Sequence, residues 1–265
     1  MAKIFDGKKF ALEKETNLAI RVLGLKTRGV YPKLASILVG NDPASQLYVN
    51  LKKKAAERMG AEVDIYLIKE NSKLEDLILL IKTLNEDESV HGIMIQMPIP
   101  GTLGEKKDEI VGTISPEKDV DGLRDDSYFL HPTSKAVIQI LDEAKKEEPL
   151  QGSTVVVVGA TGMVGKPLVQ ELKEENYDVV ECDSKTQDLK DKTLEADVLV
   201  SVTGVPGIIK EDMVKDGAIV IDVGSPKGDV EFSEVSKKTG FISPVPGGVG
   251  PVTISCLLEN LISAC

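Results

Sequence analysis

Apolar positions along the chain fall into two alternating patterns. Short unbroken runs such as LASILVG (34–40), GIMIQMPIP (92–100), VVVV (155–158), DVLVSVTG (197–204) and GAIVIDVG (217–224) have the length and β-branched content of buried strands. Between them lie segments whose apolar residues return every three or four positions, at 12–23, 45–59, 74–85 and 135–146, the period of a helix with one buried face. EVDIYLI (62–68) adds a further strand, and Gly60 is placed to close the 45–59 helix as its C-cap. Strand and helix in alternation predict an α/β fold with a largely parallel sheet. The stretch SPEKDVDGLRDDSYFLHPTS (115–134) is polar, turn-rich and aperiodic, and is expected to be an inter-domain crossing. The tail is glycine-rich at 247–250 and helical thereafter.

Composition narrows the classes. A chain of 265 residues with 42% hydrophobic content can bury one large core or two modest ones. Its net charge of -11 argues against nucleic acid or an anionic membrane as the main partner, so an anionic ligand needs a local cluster of donors. Cys182, Cys256 and Cys265 are scattered, and His91 and His131 are the two histidines. No zinc-type spacing exists, so reduced thiols, no metal and a cytoplasmic location are expected. The first residues, MAKIFDGKKF, lack the apolar run of a signal peptide, and no stretch has the roughly 18 apolar residues of a membrane span.

The strongest local chemistry is VVVVGATGMVGKP. It places Gly159, Gly162 and Gly165 where a strand turns into a helix, so that backbone N–H groups and the helix N-terminus can receive a pyrophosphate. The spacing departs from G-x-G-x-x-G, and a tight turn without ligand is the competing reading. The next strand, YDVVECDS, ends at Asp183, close to the roughly 20 residues downstream at which an acid hydrogen-bonds the adenosine ribose. A carboxylate there favours an unphosphorylated ribose, hence NAD over NADP, although Lys185 would soften the repulsion of a 2′-phosphate.

Four further segments, GNDPASQLYVNLKKKAAERMG, GIMIQMPIP, PEKDVDG and FISPVPGGVGPVT, occur in an order and spacing that resembles the methylenetetrahydrofolate dehydrogenase/cyclohydrolase family, over almost the whole chain. The resemblance implies two lobes with a cleft between them: an N-terminal α/β folate-binding domain at 1–130, completed by a C-terminal helix at 250–265, and a Rossmann-type NAD(P) domain at 131–249. It implies oxidation of 5,10-methylenetetrahydrofolate to the 5,10-methenyl cation with NAD or NADP, then hydrolysis to 10-formyltetrahydrofolate. Tetrahydrofolate derivatives, including polyglutamylated ones, and a homodimer are the implied partners.

By the same resemblance Tyr48 and Lys52 take the family's Y-x-x-x-K positions and share a helix face, while Lys53 and Lys54 turn about 100° and 200° away. Lys52 becomes the candidate base and acid of the hydrolysis, Gln96 its hydrogen-bond partner and Asp121 the carboxylate that holds the pterin. Pro98, Gly247, Gly248, Pro251 and Thr253 complete the expected substrate contacts. Ala160, Thr161, Ser184, Thr203, Gly204 and Gly224 join the three loop glycines and Asp183 on the cofactor side. A strand-end role for Gln96 and a turn-capping role for Asp119 or Asp121 are the bland alternatives.

The chain also departs from the family pattern. Ala160 and Thr161 stand where an Arg and a Ser are common, and Asp183 stands in place of a His; both favour NAD. The segment after KDVDG is shorter, with 131–136 reading HPTSKA, and Ser225-Pro226 replaces Ile-Asn. Three rival functions stand against this: a dehydrogenase without the hydrolytic step; a different two-lobed Rossmann dehydrogenase of the shikimate type, disfavoured by the absence of its expected glycine loop and by the presence of PVPGGVGP; and a dinucleotide-binding sensor without catalysis.

Overall fold

A computed structural model describes residues 2–146 and 152–265. The chain divides into two units, Met1–Ala11 with Thr133–Thr253, and Leu12–Pro132 with Ile254–Cys265. In chain order the elements are β1 (Lys3–Ile4), α1 (Gly7–Lys26), β2 (Lys33–Val39), α2 (Pro43–Met59), β3 (Glu62–Ile68), α3 (Leu74–Glu86), β4 (Gly92–Ile95), α4 (Gly101–Gly104), α5 (Lys107–Val111) and α6 (Pro132–Lys145). There follow β5 (Thr154–Val158), α7 (Gly165–Glu174), β6 (Asp178–Cys182), α8 (Leu189–Leu194), β7 (Val198–Ser201), β8 (Ile219–Asp222), α9 (Phe232–Val235), β9 (Phe241–Ile242) and α10 (Val249–Ser263).

The unit containing Leu12–Pro132 is built on a parallel sheet of order β3-β2-β4. Side chains alternate across it. Ile93 and Ile95 of β4 pack with Ala35 and Ile37 of β2 against Leu77, Ile81 and Leu84 of α3. Met94 points to the opposite face, where Leu34 and Val63 meet Leu18 and Val22 of α1, Ala55, Ala56 and Met59 of α2, and Leu257, Leu258 and Leu261 of α10. Each of the leucine, isoleucine, valine and methionine side chains among them contributes about 1.5–3 kcal/mol on burial. That second face positions the chemistry, because α2 lies on it and Gln96 continues the β4 alternation beyond Met94. The helix α2 begins two residues before the periodicity suggested. Pro43 suits its first turn, and Asp42 accepts from the Ser45 N–H at 2.7 Å. Gly60 ends the helix in the left-handed region at φ 80°, as expected.

The other unit carries a parallel sheet of order β1-β9-β8-β7-β5-β6. Strand β5 lies inside it, and its four valines are buried on both faces, which explains a run with no polar alternation. The reversal of strand order lies between β5 and β7, with β6 on one side and β8 and β9 on the other, as in a doubly wound dinucleotide fold.

One boundary differs from the expected 1–130. Met1–Ala11 groups with the second sheet because β1 pairs in parallel with β9, Lys3 opposite Phe241, and covers an edge that would otherwise be open. Phe5 packs there, with its ring 5.8 Å from Phe241 and 5.6 Å from Phe10. Two-residue strands carry no periodicity, so neither β1 nor β9 was legible as a strand. The remaining divisions fall after Pro132 and after Thr253.

Candidate functional site

In the unit built on β2, β3 and β4 the site forms around one amine. Lys52 sits midway along α2 on its buried face, at 9% exposure, while Lys53 is half-buried and Lys54 exposed. Its Nζ donates to Gln96 Oε1 at 3.0 Å and lies 3.6 Å from Met94 Sδ. Gln96 is fixed in turn. Its backbone N–H donates to Ile37 O at 2.8 Å, and its Nε2 donates to Met97 O at 2.8 Å, which leaves Oε1 turned to the lysine. Burial drives the Lys52 pKa below the usual lysine value, and the negative charge of Asp121 opposes that shift. An amine so placed is held by a neutral acceptor, which does not restore what burial costs its charged form. Tyr48 lies one turn earlier on α2, at 37% exposure, and Pro98 is exposed two residues beyond Gln96.

Asp121 reaches this neighbourhood because residues 118–120 run beside β4. Ile93 N–H donates to Lys118 O at 2.7 Å, and Ile93 and Asp119 form a parallel bridge. The two acids of KDVDG divide the work. Asp119 is fully buried, accepts from the Arg124 N–H at 2.9 Å, and builds the turn; burial pushes its carboxyl pKa up. Asp121 stays half-buried and faces the amine electrostatically.

Two residues here escaped the sequence reading of the site. His131 is buried, and the charges of Asp121 and Lys52 both act on it, so it belongs to the same cluster. Its backbone packs against the KDVDG turn: a Cβ on Gly122 would fall 2.7 Å from His131 N. Asn260 of α10 donates through Nδ2 to Val120 O and Leu130 O, both at 3.0 Å, tying the turn to the segment that leads to His131. No local pattern joins positions so far apart in the chain. His131 was visible only as a departure in the shortened loop.

In the other unit, the ends of β5, β6 and β7 converge. Gly159 and Ala160 N–H donate to Cys182 O at 2.8 and 3.0 Å, bringing the glycine loop against Asp183. Gly159 has φ 95°, and a Cβ there would lie 2.6 Å from Val202 O; one on Gly165 would lie 2.1 Å from Gly159 O. The loop is therefore folded as tightly as backbone allows at the N-terminus of α7, a cradle suited to a dinucleotide pyrophosphate. Asp183 is half-buried and oriented by its own turn: Oδ1 accepts from Lys185 N–H at 2.9 Å and from Thr186 Oγ1 at 3.3 Å. Thr161, Gly162, Ser184 and Gly204 are exposed, Thr203 is half-buried, and Ala160 is buried. Gly224 is buried beneath this surface, its N–H donating to Asp222 Oδ1 at 2.9 Å. A cavity of about 560 Å³ next to the loop is lined by Thr161, by Lys166, Gln170 and Lys173 of α7, and by Glu181 of β6, so it lies along the flank of α7.

In the same unit, Gly248 N–H donates to Pro244 O at 2.8 Å, and a Cβ on Gly7 would lie 1.9 Å from Gly248 O. The glycine segment before α10 is thus packed against the start of α1. Gly247 and Pro251 are half-buried there, and Thr253 Oγ1 donates to Val249 O at 3.3 Å. Among the described residues, no group of three or more His, Cys, Asp or Glu is placed to hold a metal ion, and no helix is long and apolar enough to cross a membrane.

Comparison with known proteins gives one answer for both halves. Residues 5–121 match the model of the tetrahydrofolate dehydrogenase/cyclohydrolase catalytic domain, and residues 131–265 match that of the NAD(P)-binding domain. The bifunctional protein FolD of Lactobacillus helveticus is 42% identical over 277 residues, covering 99% of this chain and 97% of that protein. Among solved structures, the bifunctional FolD methylenetetrahydrofolate dehydrogenase/cyclohydrolase of Campylobacter jejuni superposes with TM-score 0.93 at 39% identity, over 100% of this chain and 98% of that one. The Trypanosoma brucei methylenetetrahydrofolate dehydrogenase-cyclohydrolase, complexed with NADP cofactor and inhibitor, gives 0.92 at 33% identity, over 99% of this chain and 97% of that one. With both sequence models matched and full-length relatives at this identity, the chain belongs to the tetrahydrofolate dehydrogenase/cyclohydrolase family.

Proposed function

We propose that Lys52, held by Gln96, moves the proton in the hydrolytic half of a two-step folate reaction, and that the dehydrogenase half prefers NAD. As a member of its family the chain is a methylenetetrahydrofolate dehydrogenase and methenyltetrahydrofolate cyclohydrolase, acting on tetrahydrofolate derivatives with an NAD(P) cofactor. The observation that carries the assignment is the contact from the buried Lys52 Nζ to Gln96 Oε1, with burial lowering the amine's pKa.

The first step removes hydride from a carbon flanked by two nitrogens, whose lone pairs stabilise the cation formed. The bound nicotinamide supplies the hydride acceptor, and the chain supplies orientation. Asp121 is suited to accept from the aminopyrimidine N–H groups of the pterin, a paired geometry that fixes the ring. In the second step a water oxygen bonds the methenyl carbon and its proton passes to Lys52 Nζ. Collapse of the adduct forms the formyl C=O and breaks one C–N bond. The departing nitrogen takes up a proton as the adduct hydroxyl gives one up, so each turnover releases one proton to solvent. A lysine of ordinary pKa, ~10.4, would be almost wholly protonated at neutral pH and unable to begin this step. Tyr48, on the same helix face, is proposed to line the folate site with Pro98.

The NAD preference is supported by Asp183, oriented at the end of β6, and by Ala160, which offers no side-chain donor to a 2′-phosphate. Gly159, Thr161, Gly162, Gly165, Ser184, Thr203, Gly204 and Gly224 are proposed to complete the cofactor site. A cytoplasmic homodimer, with no nucleic-acid or membrane partner, completes the reading. The test is to follow methenyl absorbance in two assays, formation with NAD or NADP and disappearance with no nucleotide. Formation with higher kcat/KM for NAD, together with nucleotide-independent disappearance, supports the proposal. Higher kcat/KM with NADP removes the role given to Asp183.

A further inference from the structure

The loops after β7 and β8 are joined by one buried carboxylate that no motif in the sequence marked. Asp229 is fully buried, and its Oδ2 accepts from Ser201 Oγ at 2.9 Å, Thr203 N–H at 2.7 Å, Thr203 Oγ1 at 2.9 Å and Gly204 N–H at 3.2 Å. Asp229 is itself held. Its N–H donates to Asp222 Oδ1 at 2.9 Å, the same oxygen that takes the Gly224 N–H, while Asp222 Oδ2 takes the Val230 N–H at 3.0 Å. A Cβ on Gly224 would lie 2.6 Å from Asp229 Oδ1, so the loop after β8 is packed directly onto the carboxylate. The outer side of the loop after β7 stays open, since a Cβ on Gly204 would meet nothing within 4 Å.

A doubly wound sheet receives a dinucleotide as two halves on either side of its switch point. The glycine loop and Asp183, at the ends of β5 and β6, belong to the adenosine half. Thr203–Gly204 and Gly224, at the ends of β7 and β8, belong to the nicotinamide half. We infer that Asp229 is a positioning residue for that second half: by fastening the two loops to each other it sets the surface against which the nicotinamide riboside is held. The inference rests on the proposed dinucleotide site and adds a residue that lies beneath it.

The test separates the halves by ligand. The full-length protein, as wild type, Asp229→Asn and Ser201→Ala, is titrated with NAD+ and separately with ADP, which fills only the adenosine half. Asp229→Asn keeps the shape but offers the four donors a neutral oxygen at best, and bonds to a charged acceptor are the stronger ones. The NAD+ Kd is expected to rise about tenfold and the ADP Kd to stay within about twofold. Ser201→Ala removes one donor from the strand end, and is expected to weaken NAD+ about threefold with ADP unchanged; it decides the question if Asp229→Asn does not fold. An equal loss of both ligands, or no loss of NAD+, overturns the inference. A wild-type chain that binds neither ligand removes the dinucleotide site itself, and the role of Asp229 with it.

Discussion

Lys52 Nζ and Gln96 Oε1 lie 3.0 Å apart at the sheet face covered by α2. The amine comes from the middle of a helix and the amide from the residue after a strand, so two rigid elements fix the pair. The acceptor is uncharged, and it orients the lysine without restoring the charge that burial disfavours.

Replacing Gln96 by Leu leaves the amine buried without its acceptor. An unsatisfied buried donor costs about 1–3 kcal/mol. Hydrolysis of the methenyl substrate is expected to slow by roughly tenfold or more, with NAD+ affinity unchanged. Stopped-flow absorbance with and without nucleotide checks this. A hydrolysis rate within a factor of about two of wild type would leave Gln96 a strand-end residue only.

How much of this was legible follows from where each signal lives. The face shared by Tyr48 and Lys52 is a matter of helical period, so the sequence distinguishes Lys52 from Lys53 and Lys54, and the fold places it accordingly. Gln96 was legible by resemblance, as the residue following a short apolar run. The β1–β9 pairing, Asn260 and Asp229 were not. Each acts through contacts between distant parts of the chain, such as Asn260 to Val120 and Leu130, and no local period encodes those. Asp229 stands in a loop with the composition of an ordinary turn, and only its burial and the convergence of four donors on it mark it out.

Asp183→Ser removes the carboxylate proposed to select against a 2′-phosphate. The ratio of kcat/KM for NAD over NADP is expected to fall by about tenfold, the worth of one charged hydrogen bond gained or lost. Initial rates with each cofactor measure it. A ratio that stays constant would show that selection lies elsewhere in the site.

His131 gives a pH signature. Burial holds its imidazole below the usual ~6.5; Asp121 opposes this and Lys52 adds to it. Below about pH 6.5 the unfolded chain binds a proton that the native histidine does not. Stability is therefore lost as pH falls through that window and regained as it rises. His131→Gln removes this contribution, so its Tm is expected to fall less than that of wild type between about pH 7.5 and about pH 5.5. Parallel Tm profiles would mean that His131 charges as freely in the folded chain as in the unfolded one.

The most direct measurement is the rate of methenyltetrahydrofolate hydrolysis by Lys52→Met in the absence of nucleotide, with NAD+ binding measured on the same preparation. Loss of a positioned proton-transfer group is expected to lower the rate by about 10²- to 10⁴-fold while NAD+ affinity stays within about twofold. Hydrolysis at the wild-type rate by a folded, NAD+-binding variant would contradict the role assigned to Lys52.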